Sequence, residues 1–144
     1  MEIPTDQPTE VVVLPANYTS VNPPESFSDS RRGELTWHTL FSTPSTPTSD
    51  MSAGIAVCPP RTGRLHQHRH AQAEIYYILE GRGTVAVNGV EHPVEKGCAM
   101  FIPGDADHAV INDSEDELKW LYVFPTGAFT DVHYMFSHEA EKAS

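Results

Sequence analysis

Turn chemistry recurs along this chain at intervals too short for helices to fill. Pro59-Pro60, Gly81-Arg82-Gly83, Asn88-Gly89, Pro103-Gly104-Asp105, Asn112-Asp113 and Pro125-Thr126-Gly127 punctuate it. Each of these groups combines residues that favour turns or stop a helix. Between them lie short β-favouring runs at 55–58, 74–80, 84–88, 98–102, 108–112, 118–124 and 131–136. Many short strands separated by turns read as an all-β chain, an antiparallel barrel or sandwich of the jelly-roll kind. Asn88-Gly89 is the sharpest of these signals, because both central residues of a type I′ hairpin turn need positive φ. It joins the run before it to a strand starting near Val90.

Residues 1–30 read as an extended N-terminal arm. Its β-branched run at 11–14 is cut off by Pro15, and Pro23-Pro24 ends regular structure there. Such a run can cover a sheet edge, its own or that of a partner copy, and a homodimer is the expectation. A strand-like stretch at 35–41 precedes 42–50, which is almost wholly Ser, Thr and Pro. That composition buries too little apolar surface to order itself and reads as a flexible loop. One barrel domain is expected over 31–138 and a flexible tail over 139–144. The only helix-like stretch, 137–142, is short and polar, and a chain of 144 residues leaves little room for a second domain.

Charge removes several classes of function. Nine Lys and Arg stand against 20 Asp and Glu, for a net charge of −11, and the longest basic cluster is Arg31-Arg32. Nucleic acid and anionic membrane surfaces are therefore disfavoured as partners, which leaves a small-molecule substrate. No apolar run approaches the roughly 20 residues of a spanning helix. The start, Met1-Glu2-Ile3-Pro4, lacks the basic and apolar character of a secretory signal, so a cytoplasmic location is expected. Cys58 and Cys98 form no Cys-x-x-Cys and read as buried thiols. The sequons at Asn17 and Asn112 matter only in a secreted chain. There is no Gly-x-Ser-x-Gly elbow and no Gly-rich loop ending in Lys-Ser/Thr, so serine-hydrolase and nucleoside-triphosphate readings fall away.

Eight histidines are present, and they cluster: His66, His68 and His70 alternate, Glu74 follows, and His108 lies farther on. Alternate residues of a strand share a face. His68 and His70 can then converge on one ion, with Glu74 approaching from the next strand and His108 from a later one. Imidazoles plus a carboxylate suit Fe(II), Mn(II), Ni(II), Co(II) or Zn(II) rather than calcium, and leave coordination positions open for water or substrate.

The spacing of these residues resembles both signature motifs of the cupin superfamily. Gly63, His68, His70, Glu74 and Gly81 follow the first motif, with a lead-in from Gly63 one residue short. Gly97, Pro103, His108 and Asn112 follow the second, with Asp105 where its second glycine would stand. The resemblance covers about Gly63 to Asn112. It implies a cupin-type antiparallel barrel of about six to eight strands, with little helix and with one divalent transition metal per chain held by His68, His70, Glu74 and His108. A competing ligand set uses His66 and His68 with Glu74, leaving His70 out; in the favoured set His66 lies at the rim.

Cupins include lyases, isomerases, decarboxylases, dioxygenases and non-catalytic binding proteins, so pocket residues must choose among them. If Glu74 points inward, alternation sends Tyr76 and Ile78 inward too. Tyr76 can then serve as general base, with Tyr134 or His133 returning a proton. Arg64 or Arg69 is expected at the rim, and Trp37, Trp120, Phe124 and Phe129 as core or pocket wall. A narrower resemblance is to the small cupin-type dimethylsulfoniopropionate lyases. It rests on Tyr76 two places after the Glu ligand, His108 34 places after it, and Tyr134 near the C-terminal strand. The implied chemistry is non-oxidative proton transfer on a small carboxylate- or carbonyl-bearing metabolite. The alternatives are an Fe(II)-dependent dioxygenase and a non-catalytic ligand-binding protein.

Overall fold

The computed structural model describes residues 8–142, so residues 1–7 of the expected arm and 143–144 of the expected tail lie outside it. Its elements in chain order are a short helix α1 (Tyr18–Val21) and strands β1 (Glu25–Ser26), β2 (Gly33–Glu34), β3 (Thr36–Phe41) and β4 (Ser52–Cys58). Strands β5 (Gly63–Arg69), β6 (Glu74–Glu80), β7 (Arg82–Val87), β8 (Val90–Glu95), β9 (Ala99–Ile102) and β10 (His108–Asn112) follow. The chain closes with β11 (Leu118–Phe124), β12 (Met135–Phe136) and the helix α2 (Ser137–Lys142). Single 3-10 turns occupy Ser30–Arg32 and Phe129–Asp131. No helix among the described residues is long and apolar enough to cross a membrane.

The strands form two antiparallel sheets, in the order β1-β3-β4-β11-β6-β9 and β12-β5-β10-β7-β8, with β2 also paired to β5. Their inner faces meet in one core. In β4 and β11 every second residue is buried, and the largest buried side chains include Trp120, Phe124, Ile78, Ile102 and Leu118. This is the period-two pattern that a half-buried strand requires. Asn88 and Gly89 both take positive φ, at 49° and 81°, and β7 and β8 pair across them as the turn chemistry predicts. Pro93 sits in β8, which is an edge strand and can spare the missing N–H.

Three local readings come out differently. Residues 11–14 form no strand; Val11 and Val13 face outward, and Val12 and Leu14 lie across a shallow groove from Leu40 and Ile55. Sheet pairing already begins at Glu25, opposite Trp37. The Ser/Thr-rich loop is tied in place by its own hydroxyls: Thr46 donates to the Ser42 carbonyl, Thr43 Oγ1 donates to Thr48, and the Thr43 N–H reaches Gly127. Hydrogen bonds hold that loop where apolar burial is lacking. Cys58 is buried and Cys98 half-buried, and both are free.

Candidate metal centre

The site sits between the two sheets. β5 presents His68 and, one residue past its end, His70; β10 presents His108; and β6, in the facing sheet, presents Glu74. His68 and His108 are direct cross-strand partners, their rings 4.1 Å apart. All four side chains are buried, and the three histidines offer ligand atoms within 4.8 Å of one another.

A bulge in β5 selects which histidines converge. His108 pairs with His68 but Val110 with Leu65, so three residues of β5 oppose two of β10. His66 and Gln67 are consecutive and both exposed, while Leu65 and His68 are both buried. The bulge resets the parity of the strand and turns His66 to solvent. The set with His66 in place of His70 is thereby excluded as a cluster: His70 is inside and His66 is not.

Each imidazole is anchored through Nδ1. The acceptors are the backbone carbonyls of His66 at 2.8 Å, Gln72 at 2.9 Å and Ala106 at 2.9 Å for His68, His70 and His108 respectively. A carbonyl can only accept, so each Nδ1 carries the proton and each Nε2 presents a bare lone pair. All three Nε2 atoms are buried with no hydrogen-bond partner among the described residues. Glu74 Oε1 lies 3.3 Å from Nε2 of both His70 and His108 and is itself unpartnered. At His68, burial first and the adjacent His108 second hold the imidazole well below its ordinary range. Four potential ligand atoms thus meet in a buried site with no hydrogen bond among them. A divalent cation could be held among the three Nε2 atoms, with Glu74 Oε1 beside those of His70 and His108, and the nitrogen-and-carboxylate donor set suits a transition ion.

A cavity of about 380 Å³ opens beside this cluster, with Glu74 in its lining. Tyr76 and Tyr134 both face it, as do Trp37, Trp120 and Phe129. Phe124 instead packs in the core, its ring 5.1 Å from His70. Tyr134 is stacked on His68 at 4.7 Å with the rings 9° from parallel, and lies 5.2 Å from His70. Tyr76 is 6.4 Å from His108 and 2% exposed. Burial first, and the Glu74 carboxylate second, push both phenols well above their ordinary value. His133 is exposed and lines the same cavity.

Neither arginine expected at the rim lines this cavity. Arg64 is held by Asp113 at 2.7 Å, and Arg69 is an exposed residue paired across the sheet with Met135. The cation there is Arg32, which the sequence reading missed as a site residue. Its guanidinium donates to Glu139 on α2 at 2.8 Å and lies 5.0 Å from the Phe136 ring. Arg32 reaches the cavity because Gly33 pairs with Leu65 and carries the preceding turn over β5, a long-range contact that no local pattern encodes.

The second motif's other residues prove structural. Asp105 takes positive φ, at 63°, and so fills the conformational role of the glycine it replaces. Asn112 is fully buried and donates to the carbonyls of Cys58, Pro59 and Asp116, which rules its sequon out as an accessible acceptor.

Known proteins resemble this chain along most of its length. The Cupin_2 family model, described as a cupin domain, matches residues 54–124. The dimethylsulfoniopropionate lyase DddW of Ruegeria pomeroyi is 37% identical over 113 residues, covering 78% of this chain and 73% of the relative. An oxalate-binding protein of Thermotoga maritima is 30% identical over 103 residues, covering 69% of this chain and 84% of that protein. Among solved structures, the polyketide cyclase RemF from Streptomyces resistomycificus superposes with a TM-score of 0.71 at 20% identity. That match covers 87% of this chain and 86% of RemF.

Proposed function

Because the chain belongs to the cupin family, we propose that it is a metal-dependent enzyme of non-oxidative proton transfer, a lyase or isomerase acting on a small carboxylate-bearing molecule. The observation that carries this reading is the convergence of three Nε2 atoms and Glu74 Oε1, buried and without hydrogen-bond partners. His68, His70, His108 and Glu74 are the ligands in this reading. The ion would supply Lewis acidity, acidifying the C–H next to a bound carboxylate or carbonyl and bringing a nearby phenol's proton within reach.

The chain's own groups divide the remaining work. Tyr76, dry and held at the cavity wall, takes the α-proton. Tyr134, stacked on His68 at the same cavity, returns one, and His133 at the exposed end links the cavity to solvent. The aromatic lining excludes water and presents ring faces that suit an onium group. Dimethylsulfoniopropionate is therefore the first substrate to test, since the Ruegeria relative is a lyase of that compound. In that elimination Tyr76 would act as its phenolate, its own proton having passed to solvent through the cavity beforehand; the α C–H proton moves to the phenolate oxygen, the C–H electron pair forms the C=C bond, and the C–S electron pair leaves with dimethyl sulfide, giving acrylate.

The test is metal content by mass spectrometry on tag-free protein, followed by anaerobic turnover. About one ion per chain is expected, with dimethyl sulfide released without O₂. Tyr76→Phe should abolish turnover and keep the ion. Consumption of O₂ with a strict need for Fe(II) would replace this reading with a dioxygenase. A second reading, non-catalytic ligand binding, is favoured by the oxalate-binding relative. It predicts no turnover with any metal but a raised melting temperature with oxalate.

A further inference from the structure

One arginine is built into the wall of the cavity beside the metal centre, and its partner is a carboxylate from the far end of the chain. Arg31 and Arg32 follow each other in a single 3-10 turn but are held differently. Arg31 is tied to Asp29, two residues back, and is largely exposed. Arg32 lines the cavity, where no other Lys or Arg stands among the described residues. Gly33 brings it there: a Cβ on that residue would meet the Arg64 carbonyl, so glycine is what lets the turn approach β5 this closely. The guanidinium then lies 5.0 Å from the Phe136 ring, which is itself 5.2 Å from the ring of His68. One aromatic ring separates this cation from the metal centre.

Glu139 on α2 holds one edge of the guanidinium fork. Its Oε1 accepts from Nε at 3.0 Å and from Nη2 at 2.8 Å, and its Oε2 accepts from Nη2 at 3.2 Å. Nη1 donates no hydrogen bond among the described residues, so the fork is engaged along one edge only. Glu139 itself lines the neighbouring cleft beside Arg69 and Met135, not the cavity. Both side chains of the pair are more than one-third exposed. An ion pair in that setting is worth little, and a second carboxylate can compete for it. A chain of net charge −11 repels an anion at long range, and Glu74 lines the same cavity. A carboxylate entering from solvent therefore needs a local cation, and the planar fork of arginine is shaped to take its two oxygens. We propose that Arg32 is the entry anchor for a ligand carboxylate and that Glu139 is the tethered competitor that sets its affinity. This deepens the reading of a carboxylate-bearing substrate, on which it rests, by giving the acid group a first docking point apart from the ion.

The chain's two tryptophans, Trp37 and Trp120, both line the cavity, so intrinsic fluorescence reads occupancy without turnover. Propionate and its uncharged counterpart propionamide are titrated into the full chain, both Zn(II)-loaded and chelated. Propionate should bind at least about tenfold more tightly than propionamide in both forms. Arg32→Met should weaken propionate about tenfold, and Glu139→Gln should tighten it about threefold or more, because the fork loses its internal carboxylate. Arg32→Lys keeps the charge without the fork and should fall between wild type and Arg32→Met, which keeps the test open if the methionine variant fails to fold. The opposite signs decide the matter. If the pair merely ties α2 down, Arg32→Met and Glu139→Gln break the same contact and shift the affinity the same way or not at all, and the proposal falls. Equal affinity for propionate and propionamide also overturns it. So does propionate binding that needs zinc and ignores Arg32→Met, since the carboxylate then seats on the ion alone. Absent turnover of dimethylsulfoniopropionate would leave these affinities as they are, and failure of the anchor would leave the ion content and the Tyr76→Phe outcome as they are.

Discussion

Replacing Glu74 by Gln should move the stability of the metal-free and metal-loaded protein in opposite directions. In the metal-free site, Glu74 Oε1 faces the bare Nε2 lone pairs of His70 and His108, each 3.3 Å away. Neither contact is a hydrogen bond, and each Nδ1 proton is given to a backbone carbonyl. An amide of the same shape carries two N–H groups and can donate to both nitrogens. Two neutral hydrogen bonds at about 0.5–1.5 kcal/mol each would add roughly 1–3 kcal/mol. For a chain of this size that is a rise of about 3–10 °C in melting temperature. The loaded protein should respond the other way, because the amide is a poor ligand. At about a hundredfold excess over Kd an ion adds roughly 2.7 kcal/mol, and a tenfold loss of affinity removes about 1.4 kcal/mol of that. Differential scanning calorimetry on chelated protein, with and without excess Mn(II) or Zn(II), reads both effects. A chelated Glu74→Gln protein that melts lower than wild type would refute the argument, because the carboxylate would then be a satisfied core residue. Undiminished stabilisation by metal would refute it from the other side.

Two further outcomes follow from the same geometry. His66→Ala should keep about one ion per chain by mass spectrometry, whereas His68→Ala and His108→Ala should lose it; loss in His66→Ala would mean the bulge in β5 does not decide the ligand set. The depressed His68 imidazole also gives the chelated protein a pH dependence. Its folded value lies below the ordinary 6.5, so below that pH the unfolded chain binds the extra proton. Stability is full above about 6.5 and falls, by at most about 1.4 kcal/mol per pH unit from this group, as pH drops toward the folded value. Urea denaturation between pH 7.5 and pH 5, flat or rising toward acid, would contradict the buried neutral imidazole.

Much of the fold was legible because its signals are local. Turn residues with positive φ at Asn88 and Gly89, and alternation in 74–80, 108–112 and 118–124, each report on a backbone constraint a few residues long. The last run was overextended. The sequence reading took 131–136 as a strand, but only Met135–Phe136 pairs, because Phe129–Asp131 closes a 3-10 turn that places Phe129 and Tyr134 at the cavity. That turn has no side-chain cap and no Gly or Pro of its own, and the Pro125-Thr126-Gly127 signal before it marks only the end of β11. The arm at 11–14 was misread for a related reason: β-branched residues favour strands only where an edge is free to receive them, and here the run lies against the outer side of β3 and β4.

The ligand set shows where sequence pattern stops being sufficient. Strict alternation puts His66, His68 and His70 on one face and cannot choose among them. The choice is made by the bulge, which exists because Val110 pairs with Leu65 while His108 pairs with His68. Without it, either His66 would compete for the same space or His68 would face solvent along with Leu65's neighbours. The extra residue at 66–67 lets β5 bury Leu65 in the core and still present His68 beside His108. The His66 carbonyl, freed from regular ladder geometry, is the acceptor that fixes the His68 tautomer. One extra residue therefore turns His66 out of the histidine cluster and uses its backbone to orient the next.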